Sequence, residues 1–473
     1  MKNKKKEGYF MKKIILMGLS LVMVMALLIT GCNNNTSSIN SDDENVSVTI
    51  SFWPNSETDA ERHALYDTYL EKMKELYPNI TIIPDEEGYG IDNFMVLAAT
   101  NQLPNVYRKP YTEPQQIINA GYARDISDIV KKYNYDTGVN PDIMKICMKD
   151  GKYYGVPYSG YMIGMTYNAN VFKKAGLVNA DGSLMIPTTY DELVETAKII
   201  KEKTGIPGYA IQTTNKEGGW MFMNIAWSYG VEFMKQDENG KWIATFDTPE
   251  AVAALEYIKD LKWKHDVFSA NVLIDTNELQ KLIATDRVGM AMFGEGTPKS
   301  IVTKYKTDKD VIGYGPVMKG PKAQVSQVGG DVYMFSTNTE DNQVDAAFKW
   351  FEFLGLTPNV GKDYEKNLEE TILADVETDK LIVPPVLKIW VNKERTSIDD
   401  KLYAKYSNVN PKLWTNAYPE GVKVQQEEPM CAQNLYALLS TAMQNVLTNP
   451  DADCAQIIHE TNETFQKDFL DKQ

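Results

Sequence analysis

The sequence is poor in the residues that most often build metal sites and disulfide frameworks. It contains only four Cys and three His among 473 residues. Cys147, Cys431 and Cys454 show no CxxC spacing and allow at most one disulfide, with Cys431 and Cys454 nearest in sequence. We expect buried thiols instead, because free Cys behaves as a small hydrophobe. The three His lie far apart, which argues against a zinc site, and we expect no metal and no cofactor.

The sequence also lacks the motifs of common enzyme classes. It contains no GxSxG, no P-loop, no HExxH and no GxGxxG that opens a helix. Carboxylates are abundant, but 64 Asp and Glu residues bring acidic pairs such as Asp85-Glu86 together by chance. We keep a surface-anchored glycosidase as an alternative. It would need two facing carboxylates, one with a raised pKa, and the sequence nominates no such pair.

Positive charge is scarce outside the first residues. The formal net charge is −15, and residues 1–31 contribute six Lys against one Glu, so the rest carries about −20. This charge makes nucleic acid and anionic membrane surfaces poor partners. The length of the chain predicts two domains or lobes rather than one.

Long apolar runs are also rare, and the clearest one lies near the N-terminus. Lys12 and Lys13 precede the uncharged run from Ile14 to Ile29, whose 16 residues fall short of the roughly 20 that span a bilayer. A basic region before a short apolar region is typical of a secretory signal. Met11 is then the expected start, and Met1 is the alternative.

The end of this run resembles the bacterial lipobox, in the order Ile29-Thr30-Gly31-Cys32. In a lipobox the signal is cut before the cysteine, whose thiol receives diacylglycerol. We therefore predict that residues 1–31 are a lipoprotein signal peptide and that Cys32 is the lipidation site. An ordinary anchor helix and an incidental cysteine are the alternatives.

The segment after the signal changes from polar to patterned. Residues 32–45 are too poor in apolar side chains to fold, which indicates a flexible tether. From residue 46, β-branched runs alternate with helical patterns. Thr189 three residues before Glu192 is a typical helix start, as is Thr248 followed by Pro249. This alternation predicts an α/β fold with largely parallel sheets.

Four stretches of this sequence resemble the family 1 extracellular solute-binding proteins. They are "KDGKYYGVPYSGYMIGMTYNANVFKKAGL", "PTTYDELVETAKII", "DRVGMAMFGEG" and "GPVMKGPKAQVSQVGGDVYMFSTNTEDNQVDAAFKWFEFL". Each alone is a weak signal, but they occur in the order of the family. With the lipobox and the first strand, the resemblance covers nearly the whole mature chain.

The resemblance implies a two-lobed, periplasmic-binding-protein-like fold of type II, similar to that of maltodextrin-binding proteins. Each lobe would be a mostly parallel sheet flanked by helices, with a cleft between the lobes. The expected N-terminal lobe comprises residues 46–158 and 316–362. The expected C-terminal lobe comprises residues 159–315 and 363–473.

The resemblance also implies a function. Such proteins capture a solute by hinge closure and deliver it to the membrane permease subunits of an ABC-type importer. A carbohydrate is expected here, as an oligosaccharide. The protein would be a monomer without catalytic activity, lipid-anchored on the outer face of the cell membrane or on the periplasmic side. The alternatives are that the solute is a peptide or a polyamine, or that the binding protein serves a sensor kinase rather than transport.

Positions that match the contact loops of the family supply the candidate ligand-binding residues. Aromatic rings can stack on the CH faces of a sugar, and amides, carboxylates and guanidinium groups can pair its hydroxyls. A tryptophan expected after Glu295 is absent, and Thr297-Pro298 stand in its place. The candidates are Trp53, Asn55, Tyr111, Glu113, Tyr158, Tyr161, Trp220, Glu295, Gly330 and Asp331.

Overall fold

A computed structural model of the chain describes residues 45–415 and 420–473. The predicted signal peptide, Cys32 and nearly all of the predicted tether lie outside these residues. From Asn45 onward strands and helices alternate, as the hydrophobic patterns predict. The strands are β1 (Val46–Ile50), β2 (Ile80–Pro84), β3 (Val106–Pro110), β4 (Met148–Lys149), β5 (Lys152–Tyr153), β6 (Gly155–Asn168), β7 (Tyr209–Ala210), β8 (Met234–Gln236), β9 (Trp242–Ala244), β10 (Met290–Gly294), β11 (Ile312–Gly315), β12 (Val325–Phe335) and β13 (Lys423–Gln426).

Helices connect these strands and cover the sheet. Short 3₁₀ turns add Lys145–Cys147, Lys309–Val311 and Leu470–Lys472. The α-helices are α1 (Ala60–Leu76), α2 (Ile91–Ala99), α3 (Pro114–Asn119), α4 (Ser127–Lys132), α5 (Tyr135–Gly138), α6 (Pro141–Met144), α7 (Ala169–Ala175), α8 (Tyr190–Thr204), α9 (Glu217–Tyr229), α10 (Pro249–Trp263), α11 (Thr276–Ala284), α12 (Thr297–Tyr305), α13 (Asp341–Phe353), α14 (Tyr364–Glu377), α15 (Lys393–Tyr406), α16 (Ala432–Thr448) and α17 (Cys454–Asp468).

Two predicted helix starts are confirmed. Thr189 Oγ1 accepts the N–H of Glu192 at 3.1 Å and caps α8. Thr248 Oγ1 accepts the N–H of Ala251 at 3.3 Å and caps α10. Pro249 is the first residue of α10. Proline lacks a backbone N–H, but at this position the N–H would have no partner within the helix, so no hydrogen bond is lost.

The main sheet is mixed, whereas mostly parallel sheets were predicted. Among the described residues it has nine strands, in the order β2-β1-β3-β12-β6-β10-β7, with β11 on β6 and β13 on β12. β1 runs parallel to β2 and β3, and β10 runs parallel to β7. β12 runs antiparallel to β3, and β6 runs antiparallel to β10. The sheet is mixed because β12 runs against the parallel strands β1 to β3, and β6 runs against the parallel strands β10 and β7.

The long strands β6 and β12 join the two lobes. Gly155–Met162 of β6 pair with Val328–Met334 of β12, and we call these paired segments the lobe junction. Ile163–Asn168 of β6 pair instead with β10 and β11. Both strands therefore run from one lobe into the other, so small dihedral changes at the junction can move the lobes as a hinge.

Buried residues form separate clusters on the two sides of the lobe junction. The first draws on residues 46–162 and 328–351, and the second on residues 163–325 and 413–470. The predicted lobe boundaries remain predictions. Ile389 and Trp390, which they assign to the C-terminal lobe, pack in the first cluster.

The cysteines of the described residues are free thiols. Cys147, Cys431 and Cys454 are all buried and unpaired with one another. Burial also raises the pKa of the Cys147 thiol. These residues therefore serve as small core side chains, as expected.

Candidate functional site at the lobe junction

A charged and hydroxyl-bearing cluster lies where β6 and β12 pair. Arg108 Nε of β3 donates to Asp331 Oδ1 at 3.0 Å, and Ser159 Oγ donates to Asp331 Oδ2 at 3.2 Å. The side chains of Arg108 and Asp331 are 26% and 22% exposed, so both remain accessible to a solute. Asp331 was predicted as a contact residue, and Arg108 was missed.

Phe52 lies beside this cluster in an uncommon backbone conformation. Its φ is 61°, in the left-handed region that bulky residues rarely adopt. The ring is 44% exposed, and the Arg108 guanidinium carbon lies 3.3 Å from its centroid. Gly88 leaves room for the ring, since a Cβ there would lie 3.1 Å from it. Backbone strain of this kind clusters at binding sites, so Phe52 joins the candidate site.

Three predicted aromatic residues contribute rings at the lobe junction. Tyr158 of β6 stacks on Tyr333 of β12, with ring centroids 4.3 Å apart and planes at 19°. Tyr161 meets Trp220 of α9 edge to face, at 6.1 Å and 81°. Gly329 gives Tyr161 its space, because a Cβ there would lie 2.4 Å from Tyr161 Oη. Strands β6 and β12 and helix α9 thus bring together residues from distant parts of the chain.

Trp220 is held by a carboxylate that lies far along the sequence. Its Nε1 donates to Glu427 Oε1 at 3.0 Å, and Tyr436 Oη donates to the same oxygen at 2.9 Å. Gln327 Nε2 lies 3.3 Å from that oxygen as a further donor. These hydrogen bonds fix the plane of the indole ring. Glu427 was missed from the sequence because no local pattern links it to Trp220.

The surroundings of Glu427 make its contribution to stability depend on pH. Burial raises the pKa of its carboxyl from 4.5 to about 7. Between these two values the folded state therefore binds more protons than the unfolded state. The contribution of Glu427 to stability is then present at low pH and decreases as pH rises through this window.

We expect the wild type to lose more unfolding free energy than Glu427→Gln between about pH 4.5 and about pH 7. Burial also raises the pKa of Glu295 and of Glu428 to about 7, so only the difference from the variant isolates Glu427. Denaturant unfolding at each pH measures it, with the exposed Glu202→Gln as the matched control. Identical pH slopes for wild type and Glu427→Gln would contradict the prediction.

Glu295 connects the lobe junction to a later segment of the chain. Its backbone N–H donates to the Met162 carbonyl at 3.0 Å, and its Oε2 accepts the N–H of Leu387 at 3.4 Å. Thr297 begins helix α12, so no aromatic ring replaces the expected tryptophan at that position. Glu295 therefore lies beside the junction and binds residues that precede α15.

Trp53 and Asn55 are engaged in structural contacts. Trp53 is 4% exposed and stacks on Trp350, with centroids 5.5 Å apart. Asn55 Nδ2 donates to Glu86 Oε2 at 2.7 Å, and its Oδ1 accepts the N–H of Thr58 at 2.9 Å. Trp53 thus belongs to the first core cluster, and Asn55 organises the turn before α1. A ligand contact by either residue stays a prediction.

Tyr111 and Glu113 are also buried. Tyr111 Oη donates to the Ser159 carbonyl at 2.7 Å. Gly330 permits this approach, because a Cβ there would lie 2.6 Å from Tyr111 Cζ. Glu113 pairs with Lys109, with Oε2 and Nζ 3.0 Å apart. Tyr111 and Gly330 therefore support the strand pairing beside the site, and Glu113 neutralises a buried cation.

The predicted contact residues thus fall into two groups, and a ligand role for every one of them stays a prediction. Six of them lie at or next to the lobe junction, namely Tyr158, Tyr161, Trp220, Glu295, Gly330 and Asp331. The other four make contacts in the core or in a turn, namely Trp53, Asn55, Tyr111 and Glu113. Sequence reasoning missed Phe52, Arg108, Gln327, Glu427 and Tyr436. Only Arg108 had a signal, since it lies in the aromatic-rich stretch "VYRKPY".

The chemistry of the junction suits a neutral, hydroxyl-rich solute. Aromatic rings lie next to hydrogen-bond donors and acceptors, the combination that sugar rings require. Within residues 45–415 and 420–473, no group of three or more His, Cys, Asp or Glu is placed to hold a metal ion. Over the same ranges, no helix combines the length and apolarity of a membrane span.

Comparison with known families decides the broader assignment. Residues 59–359 match the family described as bacterial extracellular solute-binding protein. The chain belongs to this family. The matched range includes β6, β12 and the Arg108–Asp331 pair. The family resemblance drawn from the sequence motifs is therefore confirmed.

Two relatives illustrate how far the similarity of this solute-binding protein extends. The putative ABC transporter periplasmic-binding protein YcjN of Escherichia coli (strain K12) is 24% identical over 324 residues, which cover 64% of this chain and 68% of YcjN. The melibiose/raffinose/stachyose-binding protein MelE of Bacillus subtilis (strain 168) is 22% identical over 375 residues, 78% of this chain and 83% of MelE.

A solved structure supports the fold. An ABC transporter solute-binding protein from Thermotoga lettingae TMO, bound with alpha-D-tagatose, superimposes with a TM-score of 0.64 at 18% identity. The alignment covers 89% of this chain and 99% of that protein. At this identity the likeness shows the fold alone. The predicted two-lobed α/β architecture is therefore confirmed.

Proposed function

We propose that this solute-binding protein captures a carbohydrate, specifically an oligosaccharide, between its lobes for an ABC-type importer. The observation that carries the proposal is the group of rings at the lobe junction, Tyr158, Tyr161 and Trp220, beside the accessible pair of Arg108 and Asp331. A sugar offers CH faces for stacking and hydroxyls for these polar groups. The sugars in the name of MelE support the same ligand class.

The proposed cycle requires binding and closure but no covalent chemistry. The lobes rotate about β6 and β12 and enclose the solute, which permease subunits in the membrane then receive. A glycosidase would need a free acid facing a second carboxylate. The Glu427 carboxylate is instead engaged by Trp220 and Tyr436. The contacts at the junction thus favour binding over hydrolysis.

The proposed location follows from the N-terminal sequence. Residues 1–31 direct secretion, Cys32 carries the lipid, and residues 32–45 tether a monomeric two-lobed unit outside the membrane. A diacylglycerol group supplies two acyl chains, which meets the requirement for stable anchoring. The protein then remains near its importer on the outer face of the cell membrane, or on the periplasmic side.

Cys32→Ser is expected to leave the protein without lipid, either retained as an uncleaved precursor or shed from the membrane. Membrane fractionation and the mass of the N-terminal peptide measure both results. Asn35→Ser, in the predicted tether, serves as the matched control and should remain lipidated. Normal cleavage with unchanged membrane retention of Cys32→Ser would refute the anchor.

A thermal-shift screen of residues 46–473 tests the proposed ligand class. The panel contains mono- and oligosaccharides, amino acids, peptides and polyamines. A ligand at 100 times its dissociation constant adds about 2.7 kcal/mol of stability, so a sugar that binds should raise Tm measurably. Stabilisation by a peptide or a polyamine alone would show that the solute belongs to that class and is not a carbohydrate. Silence across all sugars would count against the proposal.

A further inference from the structure

A cavity of about 410 Å³ lies next to the lobe junction. It is lined by helices α14 and α15, by the segment 384–390 and by Ser159 and Gly160 of β6. Ser159 also donates to Asp331, so the cavity shares a residue with the polar cluster of the junction. The volume falls within the range of small-molecule binding sites, about 300–1,000 Å³.

Gly160 brings the segment 384–390 close to β6. A Cβ at Gly160 would lie 2.7 Å from Ile389 Cγ2 and 2.8 Å from Leu387 Cδ2. The backbone N–H of Leu387 also donates to Glu295, which follows β10. This segment therefore contacts residues on both sides of the junction, and the cavity it lines borders the proposed solute site.

Arg395 of α15 is the lining residue that points to a ligand. Its side chain is 8% exposed, and its guanidinium carbon lies 4.2 Å from the ring centroid of Trp390 and 4.9 Å from that of Tyr364. Its Nη1 donates to the Thr357 carbonyl. Its Nε, however, is buried without a hydrogen-bond partner in residues 45–415 and 420–473. A buried donor left unpaired is costly, so a ligand oxygen at this point would be favourable.

Asp399, one helical turn further, supplies the complementary acceptor. Its Oδ2 lies 3.8 Å from Arg395 Nε, too far for a direct hydrogen bond. Its Oδ1 accepts the Tyr364 hydroxyl at 2.6 Å. A ligand hydroxyl between the two groups can accept from Arg395 and donate to Asp399, as only a group with both capacities can.

The remaining charges of the cavity favour a neutral ligand. Lys388 pairs with Asp400 at 2.7 Å, and Arg395 has Asp399 as its counter-charge. The charged side chains that line the cavity are thus balanced in sign, and aromatic rings lie among them. A hydroxyl-rich ring matches this lining better than an anion or a cation does.

We propose that this cavity binds one sugar ring of the solute, as a subsite formed by α14 and α15 beside the lobe junction. The inference rests on the proposed function and extends it, because the cavity would be a second region of the protein that contacts the same solute. A longer oligosaccharide then gains affinity over a shorter one by placing a further ring in the cavity, with its hydroxyl bridging Arg395 and Asp399.

Filling the cavity tests this subsite. Ala404 is an exposed residue of α15 that lines the cavity, so Ala404→Trp fills the space with little cost to folding. Ser397→Trp is the matched control, because Ser397 is exposed on the same helix and does not line the cavity. Asp399→Asn keeps the shape of the side chain and removes its charge. Circular dichroism establishes that each variant is folded.

The measurement is isothermal titration of the full chain in detergent with di-, tri- and tetrasaccharides of glucose, galactose, fructose and arabinose, including melibiose, raffinose and stachyose. We expect Ala404→Trp to weaken binding of the longest bound sugar at least tenfold, with Asp399→Asn weakening it in the same direction. Ser397→Trp should bind as the wild type does. Trp220→Ala should weaken every sugar that binds, whatever its length.

The outcomes separate the subsite from the proposed function. Equal affinities of wild type and Ala404→Trp for every sugar, with weaker binding by Trp220→Ala, would overturn the subsite and keep the function. Sugar binding that Ala404→Trp abolishes and Trp220→Ala leaves intact would support the cavity and contradict the junction. A wild type that binds no sugar would overturn both.

Discussion

Glu113→Ala is expected to lower the free energy of unfolding by about 3–5 kcal/mol, because it leaves a buried lysine without its counter-charge. The side chains of Lys109 and Glu113 are only 1% and 8% exposed, and they pair at 3.0 Å. Lys109 Nζ also donates to the Tyr89 carbonyl at 2.5 Å and lies 4.2 Å from the Phe94 ring centroid. These contacts hold the ammonium in place when the carboxylate is gone.

Urea unfolding followed by tryptophan fluorescence measures the loss. Glu195→Ala is the matched control, since it breaks an exposed ion pair with Lys198 and should change stability little. The double variant Lys109→Met with Glu113→Leu should recover much of the stability by replacing the pair with apolar side chains. A single Glu113→Ala variant as stable as the control would show that the pair is not required.

The pH dependence of this loss has a definite sign. Burial lowers the pKa of Lys109 even in the presence of Glu113. Without the carboxylate the folded state should release the proton of Lys109 more readily than the unfolded state does. The deficit of Glu113→Ala should therefore shrink as pH rises, which the same unfolding experiment reports.

Trp220→Ala is expected to weaken sugar affinity by about 2 kcal/mol, roughly thirtyfold, because buried aromatic anchors carry most of the energy of a binding site. The change removes the ring that meets Tyr161 edge to face. It also removes the indole donor that orients Glu427 at 3.0 Å. Titration of the folded variant with a sugar from the screen measures the loss.

Two further variants show which property of Trp220 causes the loss of affinity. Trp220→Phe retains an aromatic ring and loses the indole N–H, so it separates stacking from the hydrogen bond to Glu427. Trp263→Ala is the matched control, because Trp263 is 43% exposed on α10 and donates its Nε1 to the Val446 carbonyl at 2.8 Å. Unaltered affinity in Trp220→Ala would remove Trp220 from the site.

Local sequence signals were sufficient for individual elements and for the family. The helix caps at Thr189 and Thr248 depend on atoms within one turn, so a few residues predict them. The family motifs are contiguous stretches whose order along the chain is visible without a structure. Fold class and family could therefore be predicted before any tertiary contact was known.

The direction of the strands could not be predicted in the same way. A strand that is buried on both faces has the same hydrophobic pattern whether its neighbour is parallel or antiparallel. Only the structure shows that β12 runs antiparallel to both β3 and β6. The lobe junction is therefore a property of strand pairing between distant segments.

The sequence by itself determined the α/β class, the family and the short list of aromatic residues around the crossover strands. The tertiary structure alone decided which of these residues share a site and which side chains complete it. Trp220 and Glu427 are separated by 207 residues, and Arg395 meets Tyr364 only after α14 and α15 pack. Hydrogen bonds and ring contacts act over a few ångströms in space. Sequence patterns report neighbours along the chain, so partners brought together by folding remain invisible to them.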